Sequence, residues 1–304
     1  MRAAAFTEPG GPDVLRLMDL DTPHAGAGQV RVRIRAAGVQ PVDCAVRAGR
    51  TPPWMAQDPP TIPGNEFAGV IDEVGQGVAA GLMVGGEVLG FGRLGAYAEY
   101  LVVPADQVTA KPAAMPWEVA GGFSGGAQTA HIALRELAVG KGDTLLIHGA
   151  AGAVGTVATQ LAARWGATVI GTASAANHDY LRSLGALPVA YGDGLLARVR
   201  ALAPDGVDAV LDGAGGDALT ASLALVADRS RVLTLVEHAK APGLGIRTTP
   251  NLRSSARLAE LARLYADGQL HVQIRRVFPL GRAADAHRDV ETGHGRGKVV
   301  LLVD

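Results

Sequence analysis

The 304-residue chain has one cysteine, Cys44, only 4% aromatic residues and a formal net charge of −1. A single cysteine excludes an internal disulfide and any metal site built from several thiolates. The near-zero net charge removes a general electrostatic reason to bind nucleic acid or an anionic membrane. Charged residues make up 19% and hydrophobic ones 48%, the balance of a well-buried globular chain. The opening "MRAAAFTEPGGPDVL" has no continuous apolar segment of the signal-peptide kind, so the expected location is cytoplasmic. The eight histidines show no metal-binding spacing, and no repeat or low-complexity tail is present.

Glycine is plentiful instead, at 41 residues. Residues 144–163 carry no charge, which is long enough to span a bilayer. The stretch changes character midway, however. "TLLIHGA" reads as a strand buried on both faces. "GAAGAVG" then places Gly149, Gly152 and Gly155 at three-residue intervals, and Val154, Val157, Ala158, Leu161, Ala162 and Trp165 follow at helical spacing. Gly166 stops that helix, and "ATVIGTAS" reads as a second buried strand. Strand, glycine turn, helix and strand form a βαβ unit rather than a membrane span.

Such a turn suits a dinucleotide. A pyrophosphate lies against the backbone of Gly149, Ala151, Gly152, Ala153, Val154 and Gly155, where the helix start offers unpaired N–H groups and a partial positive charge. A Cβ at Gly152 would stand between backbone and phosphate, and Gly155 lets the helix press onto the strand. The full G-x-G-x-x-G pattern is not met, because Ala150 occupies the place of its first glycine.

Further units follow. Strands are expected at 207–211, near 188–190 and up to about Val236, and helices at 178–184, 195–202, 254–267 and 282–292. This alternation implies a parallel, doubly wound sheet. Its ligand crevice lies at the carboxyl ends of the strands, which gathers the glycine turn, Thr172, Ser174, Tyr191 and Val236. The first 115 residues differ. "QVRVRIRAAGV" alternates Val30, Val32 and Ile34 with Arg31, Arg33 and Arg35, a half-exposed antiparallel strand with a solvated arginine face. "FAGVIDEVG", "GEVLGF", "AYAEYLVV" and the final "GKVVLLVD" are further strands, and residues 50–64 are expected to form a Pro-rich surface loop. This part reads as a small β-barrel-like domain.

"GVQPVD" (38–43), "IPGNEFAGVIDEVG" (62–75), "GAYAEYLVVP" (95–104), "TAHIAL" (129–134), "GAAGAVG" and "GKVVL" (297–301) occur in that order. In these motifs the chain resembles the medium-chain dehydrogenase/reductase superfamily and, within it, the zinc-independent quinone oxidoreductases. The resemblance implies an α/β architecture: a GroES-like β-barrel domain over 1–118 and 270–304, and a Rossmann NADP-binding domain over 119–269. It also implies a homodimer, for which the apolar segment 229–240 would offer an open sheet edge.

The chain departs from the zinc-dependent relatives. They carry a cysteine where "GVQ" has Gln40 and a histidine where "GNE" has Asn65. Asp43, Glu66 and Cys44 are weak replacements for a tetrahedral zinc set, so no metal is expected. Metal-free hydride transfer suits a conjugated acceptor. In an enone or quinone, hydride adds to the conjugated atom and negative charge moves to oxygen. The resemblance puts Gln40 and Asp43 at the catalytic position. Asp43 is read either as a proton carrier or as a group that holds its loop. It puts Thr129, alternatively a helix cap, and Lys298 with the cofactor.

NAD-specific sites place an acid after the second strand, to bond the ribose 2′-hydroxyl. This chain has Thr172 and Ser174 there, with His178 and Arg182 following, and Tyr191 matches a family tyrosine of the adenosine-phosphate site. The expected cofactor is NADPH. The expected substrate is a small quinone or α,β-unsaturated carbonyl, with no nucleic-acid or membrane partner. A dedicated biosynthetic enoyl reductase and a non-catalytic NADPH-binding sensor are the alternatives.

Overall fold

In a computed structural model describing residues 1–51, 55 and 57–303, the uncharged stretch divides into the strand Thr144–His148 and the helix Ala153–Arg164. Leu145, Leu146 and Ile147 are fully buried because the strand has parallel neighbours on both sides. Gly166, at φ +86°, turns the chain out of the helix. Among the described residues, no helix is long and apolar enough to cross a membrane.

The chain divides into two compact units. One comprises Gly126–Arg253 and Leu270–Val272, the other Met1–Gly125, Ser254–Gln269 and Gln273–Asp304. The helix Ser255–Ala266 groups with the latter, whereas the sequence reading assigned it to the nucleotide domain.

The Gly126–Arg253 unit holds six parallel strands. Across the sheet they run Ala186–Ala190, Thr168–Ala173, Thr144–His148, Ala209–Asp212, Val232–Thr234 and Arg247–Thr248. In chain order this is 3-2-1-4-5-6, a doubly wound sheet whose direction of winding reverses beside its first strand. The helices Ala153–Arg164, His178–Ser183, Leu195–Leu202 and Asp217–Leu225 connect consecutive strands. One expectation is corrected. Val232–Thr234 pairs on both sides, so residues 229–240 do not supply an open edge. On that side the edge is the two-residue strand Arg247–Thr248, too short to leave a periodic signal in the sequence, and the opposite edge is Ala186–Ala190.

The other unit is built on the strand Gln29–Val39. It pairs antiparallel with Glu66–Val74, Tyr100–Pro104 and, from the far end of the chain, Lys298–Leu302. Val30, Val32 and Ile34 are buried, Arg33 is exposed, and Arg31 bonds Asp72 through two nitrogens. The Pro-rich segment is less superficial than expected. Pro52–Trp54 and Ala56 lie outside the described residues, but Met55 joins the core and Thr61 pairs with Phe6. "AYAEYLVV" becomes a strand only at Tyr100, and Ala98 makes a single bridge to Ala3.

Candidate functional site

The glycine turn follows the strand Thr144–His148. Gly149 has φ +70°, and a Cβ there would also meet the Gly213 carbonyl at 3.2 Å. Gly152 is the helix N-cap at φ −73°, ψ 178°, a conformation any residue adopts, and the one atom near a Cβ there is the Gly149 oxygen at 3.3 Å. Gly155 is different: its Cβ would lie 2.5 Å from both Ala150 Cα and the Gly149 oxygen. Gly155 therefore serves packing, while Gly152 leaves open space in front of the turn. Thr156 N–H is the first to reach back into the helix, bonding the Gly152 oxygen. The amides of Ala153, Val154 and Gly155 belong to the first turn and have no intrahelical acceptor. Ala151, buried, and the half-buried Ala153 and Val154 keep the surroundings small.

Thr172 does not join the crevice as expected. It is buried, its hydroxyl donates to His148 Nδ1 at 3.2 Å, and its Oγ1 accepts the Gly149 amide at 3.4 Å. On the other side of the ring, Ser222 donates to the Ala218 carbonyl, so its oxygen accepts from His148 Nε2–H at 3.0 Å. This chain of bonds fixes one neutral tautomer. Burial lowers the His148 pKa to about 4, against the opposing charge of Asp212.

The residues beyond the strand ends are more exposed. Ser174 is half-buried and accepts from Asn177 Nδ2 at 3.1 Å. His178 is half-buried, with Nε2 buried and lacking a partner. Arg182 bonds Asp179 at 2.5 Å in an exposed pair. Tyr191 is 55% exposed, and Arg198 bonds the carbonyls of Ala190 and Asp193 beside it. Val236 is 50% exposed. Two residues that the sequence reading passed over hold these loops. Asp212 accepts from the amides of Ala214 and Gly215 and from the Thr234 hydroxyl, and Thr234 accepts from the amides of Val236 and Glu237. An acid at a strand end before "GAGG" was the available signal. Thr129 lies inside the helix Phe123–Glu136, partly exposed, so it is not a helix cap.

In the unit built on Gln29–Val39, Gln40 precedes the helix Pro41–Arg47 and forms a capping box with Asp43. Asp43 is fully buried. Its Oδ2 accepts from the Gln40 amide at 2.9 Å and the Tyr97 hydroxyl at 3.2 Å, and its Oδ1 from the Gly64 amide at 3.2 Å. Burial raises its pKa to about 7, against the pull of Lys298 and these donors. Of the two roles considered, the geometry favours holding the loop: Asp43 ties residue 40 to residue 64. Behind it the Tyr97 oxygen lies 3.3 Å from His287 Nε2, and burial lowers the His287 pKa to about 3.

The Gln40 side chain faces inward. Its Nε2 donates to Asn65 Oδ1 at 2.8 Å and Glu66 Oε1 at 2.9 Å. Glu66 is fully buried, accepts the Gly125 amide at 2.5 Å on Oε2, and forms an ion pair with the buried Lys298. Lys298 is thus committed to Glu66, a partner that sequence reading could not supply.

These residues do not fit a zinc ion. The two positions where zinc-dependent relatives carry ligands hold amides bonded to each other, and an ammonium ion sits against the nearest carboxylate. The Cys44 thiol is buried and its pKa raised to about 12, mainly by desolvation. Among the described residues no group of three or more His, Cys, Asp or Glu could hold a metal.

Residues 26–113 match the alcohol dehydrogenase GroES-like domain and residues 184–301 a zinc-binding dehydrogenase family. The chain is 36% identical over 91% of its length to the pikromycin polyketide synthase component PikAII of Streptomyces venezuelae, of which it spans only 8%. It is 31% identical to a chloroplastic NADPH-dependent alkenal/one oxidoreductase of Arabidopsis thaliana, over 99% of this chain and 79% of that protein. It superposes on the Escherichia coli quinone oxidoreductase complexed with NADPH with a TM-score of 0.87 at 26% identity, covering 99% of this chain and 100% of that one.

Proposed function

Since the chain belongs to the medium-chain dehydrogenase/reductase superfamily and is quinone oxidoreductase-like, we propose that it is an NADPH-dependent reductase of quinones or α,β-unsaturated carbonyls that works without zinc. The observation that carries this reading is the turn 149–155: three amides without an intrahelical acceptor at the start of a twelve-residue helix, and no side chain at Gly152. There the backbone of Gly149, Gly152, Ala153, Val154 and Gly155 holds the pyrophosphate. Ser174, in place of an acid, leaves room for a 2′-phosphate, with His178, Tyr191 and Val236 at the neighbouring strand ends. When bound, the reduced nicotinamide supplies a hydride. A conjugated carbonyl can take it without a Lewis acid, because the negative charge passes to oxygen and solvent then protonates it. Asp43 keeps the 40–64 loop pair in place. NADPH consumption measured against a panel of quinones and enones tests the reading: turnover of at least one class is expected, and none with any acceptor refutes it.

The similarity to a polyketide synthase component favours a second reading, a biosynthetic enoyl reductase. It predicts that an enoyl thioester is reduced in preference to free quinones. The homodimer stays a proposal that rests on the resemblance, and light scattering tests it.

A further inference from the structure

The doubly wound sheet reverses its winding between Thr144–His148 and Ala209–Asp212, so a dinucleotide crevice opens between the loops that follow these two strands. The glycine turn is one wall and residues 213–216 are the other, both within the Gly126–Arg253 unit. The walls touch: the Gly213 amide donates to the His148 carbonyl at 3.2 Å, and a Cβ on Gly149 would meet the Gly213 oxygen. The second wall leans on the loop after the next strand. Gly215 has φ +71°, and a Cβ there would meet Val236 Cγ1 at 3.1 Å. Asp212 and Thr234, both fully buried, tie the two loops together. Thr234 Oγ1 accepts the amides of Val236 at 3.1 Å and Glu237 at 3.0 Å, which fills its two lone pairs. Its proton therefore goes to Asp212 Oδ2, at 2.8 Å. Asp212 Oδ1 accepts the amides of Ala214 at 3.0 Å and Gly215 at 2.8 Å. An asparagine at 212 could not reproduce this set, because its N–H₂ would face either the filled hydroxyl oxygen or two amide donors.

We propose that Asp212 and Thr234 are positioning residues for the nucleotide, which hold these two loops in the shape that receives its nicotinamide half. The identity of the ligand rests on the reductase reading. On that reading the pyrophosphate lies on the glycine turn and the adenosine half extends toward Ser174 and Tyr191, at the ends of Thr168–Ala173 and Ala186–Ala190. The other half then runs the opposite way across the sheet, over residues 213–216 and 236–237. The strand Thr144–His148 separates Asp212 from the strand that leads to Ser174. The clamp therefore acts on one half of the dinucleotide. Loosening it costs affinity only for a ligand that carries the nicotinamide riboside.

The test compares two ligands by calorimetric titration. One is NADPH, and the other is adenosine 2′,5′-bisphosphate, which has the adenosine half but no nicotinamide riboside. Thr234→Val keeps the branched shape of the side chain and removes the hydroxyl. It should bind NADPH at least about tenfold more weakly, and the bisphosphate within about twofold of the parent. Thr234→Ser keeps the hydroxyl and should recover most of the NADPH affinity. Asp212→Asn should resemble Thr234→Val. Equal losses for both ligands, no loss for either, or a Thr234→Ser variant as weak as Thr234→Val overturns the proposal. The two Thr234 variants decide it even if Asp212→Asn does not fold. A selective loss in Thr234→Val, beside a parent that consumes no NADPH with any acceptor, would refute the reductase reading alone. A parent that binds neither ligand would refute both.

Discussion

The Thr172 hydroxyl lies 3.2 Å from His148 Nδ1, and this contact turns Thr172 away from the nucleotide crevice and into the sheet. The same hydroxyl oxygen receives the amide of Gly149, so the buried ring is linked by two bonds to the first residue of the glycine turn.

Replacing His148 with Phe therefore leaves Thr172 and Ser222 without their ring partners and should cost about 1–3 kcal/mol at pH 7. The pKa of His148 is lowered in the fold, to about 4. Its contribution is complete above the unfolded value and is lost as pH falls through about 4. Denaturant unfolding at pH 7 and pH 4.5 should show the gap between parent and variant narrowing at the lower pH. A gap that does not change with pH would contradict a neutral, buried His148.

Asp43 has the opposite sign. Its pKa is raised to about 7 by burial, so the stability it contributes is complete below the unfolded value near 3.8 and lost as pH rises toward 7. Lys298, Glu66 and Tyr97 set the size of the effect. The stability of Asp43→Asn relative to the parent should therefore increase from pH 4 to pH 7, whatever the constant offset. A relative stability that falls over this range would show that Asp43 is held ionised by its three donors.

How much of this was legible in the sequence depends on distance along the chain. Val30, Val32 and Ile34 alternate with arginines, and the strand and helix on either side of the glycine turn lie within one short window, so local periodicity exposes them. Glu66 lies in the first quarter of the chain and Lys298 near its end, and nothing local in "GNEF" or "GKVV" says that they meet. Thr172 was misplaced because alternation does not tell which buried neighbour a hydroxyl will bond. The edge beyond Val232–Thr234 was missed because Arg247–Thr248 is too short to show alternation at all.

The two glycines that close the turn should behave differently. Gly152→Val should stay folded, with its melting temperature within a few degrees of the parent, yet bind NADPH at least about tenfold more weakly, roughly 1.4 kcal/mol. Gly155→Val should lose stability first, because its side chain meets Ala150 and the Gly149 oxygen. Thermal melts alongside NADPH titrations separate the two effects. Unchanged affinity in a folded Gly152→Val would remove the phosphate from this turn.

Cofactor choice follows from the residue after the second strand. NADPH should bind more tightly than NADH, and Ser174→Asp should shift preference toward NADH by repelling a 2′-phosphate and accepting a 2′-hydroxyl. Isothermal titration of both nucleotides checks this. Equal affinities in the parent would leave the 2′-phosphate without a role.

Metal-free hydride delivery to a conjugated acceptor is read most cleanly by isotope transfer. Chelator-treated protein is given NADPH deuterated at the transferring position of nicotinamide C4, together with an acyclic enone, and the product is read by NMR. Undiminished turnover is expected, with deuterium on the β-carbon of a saturated ketone. Deuterium on the carbinol carbon of an unsaturated alcohol, or activity that chelation abolishes and zinc restores, would contradict it.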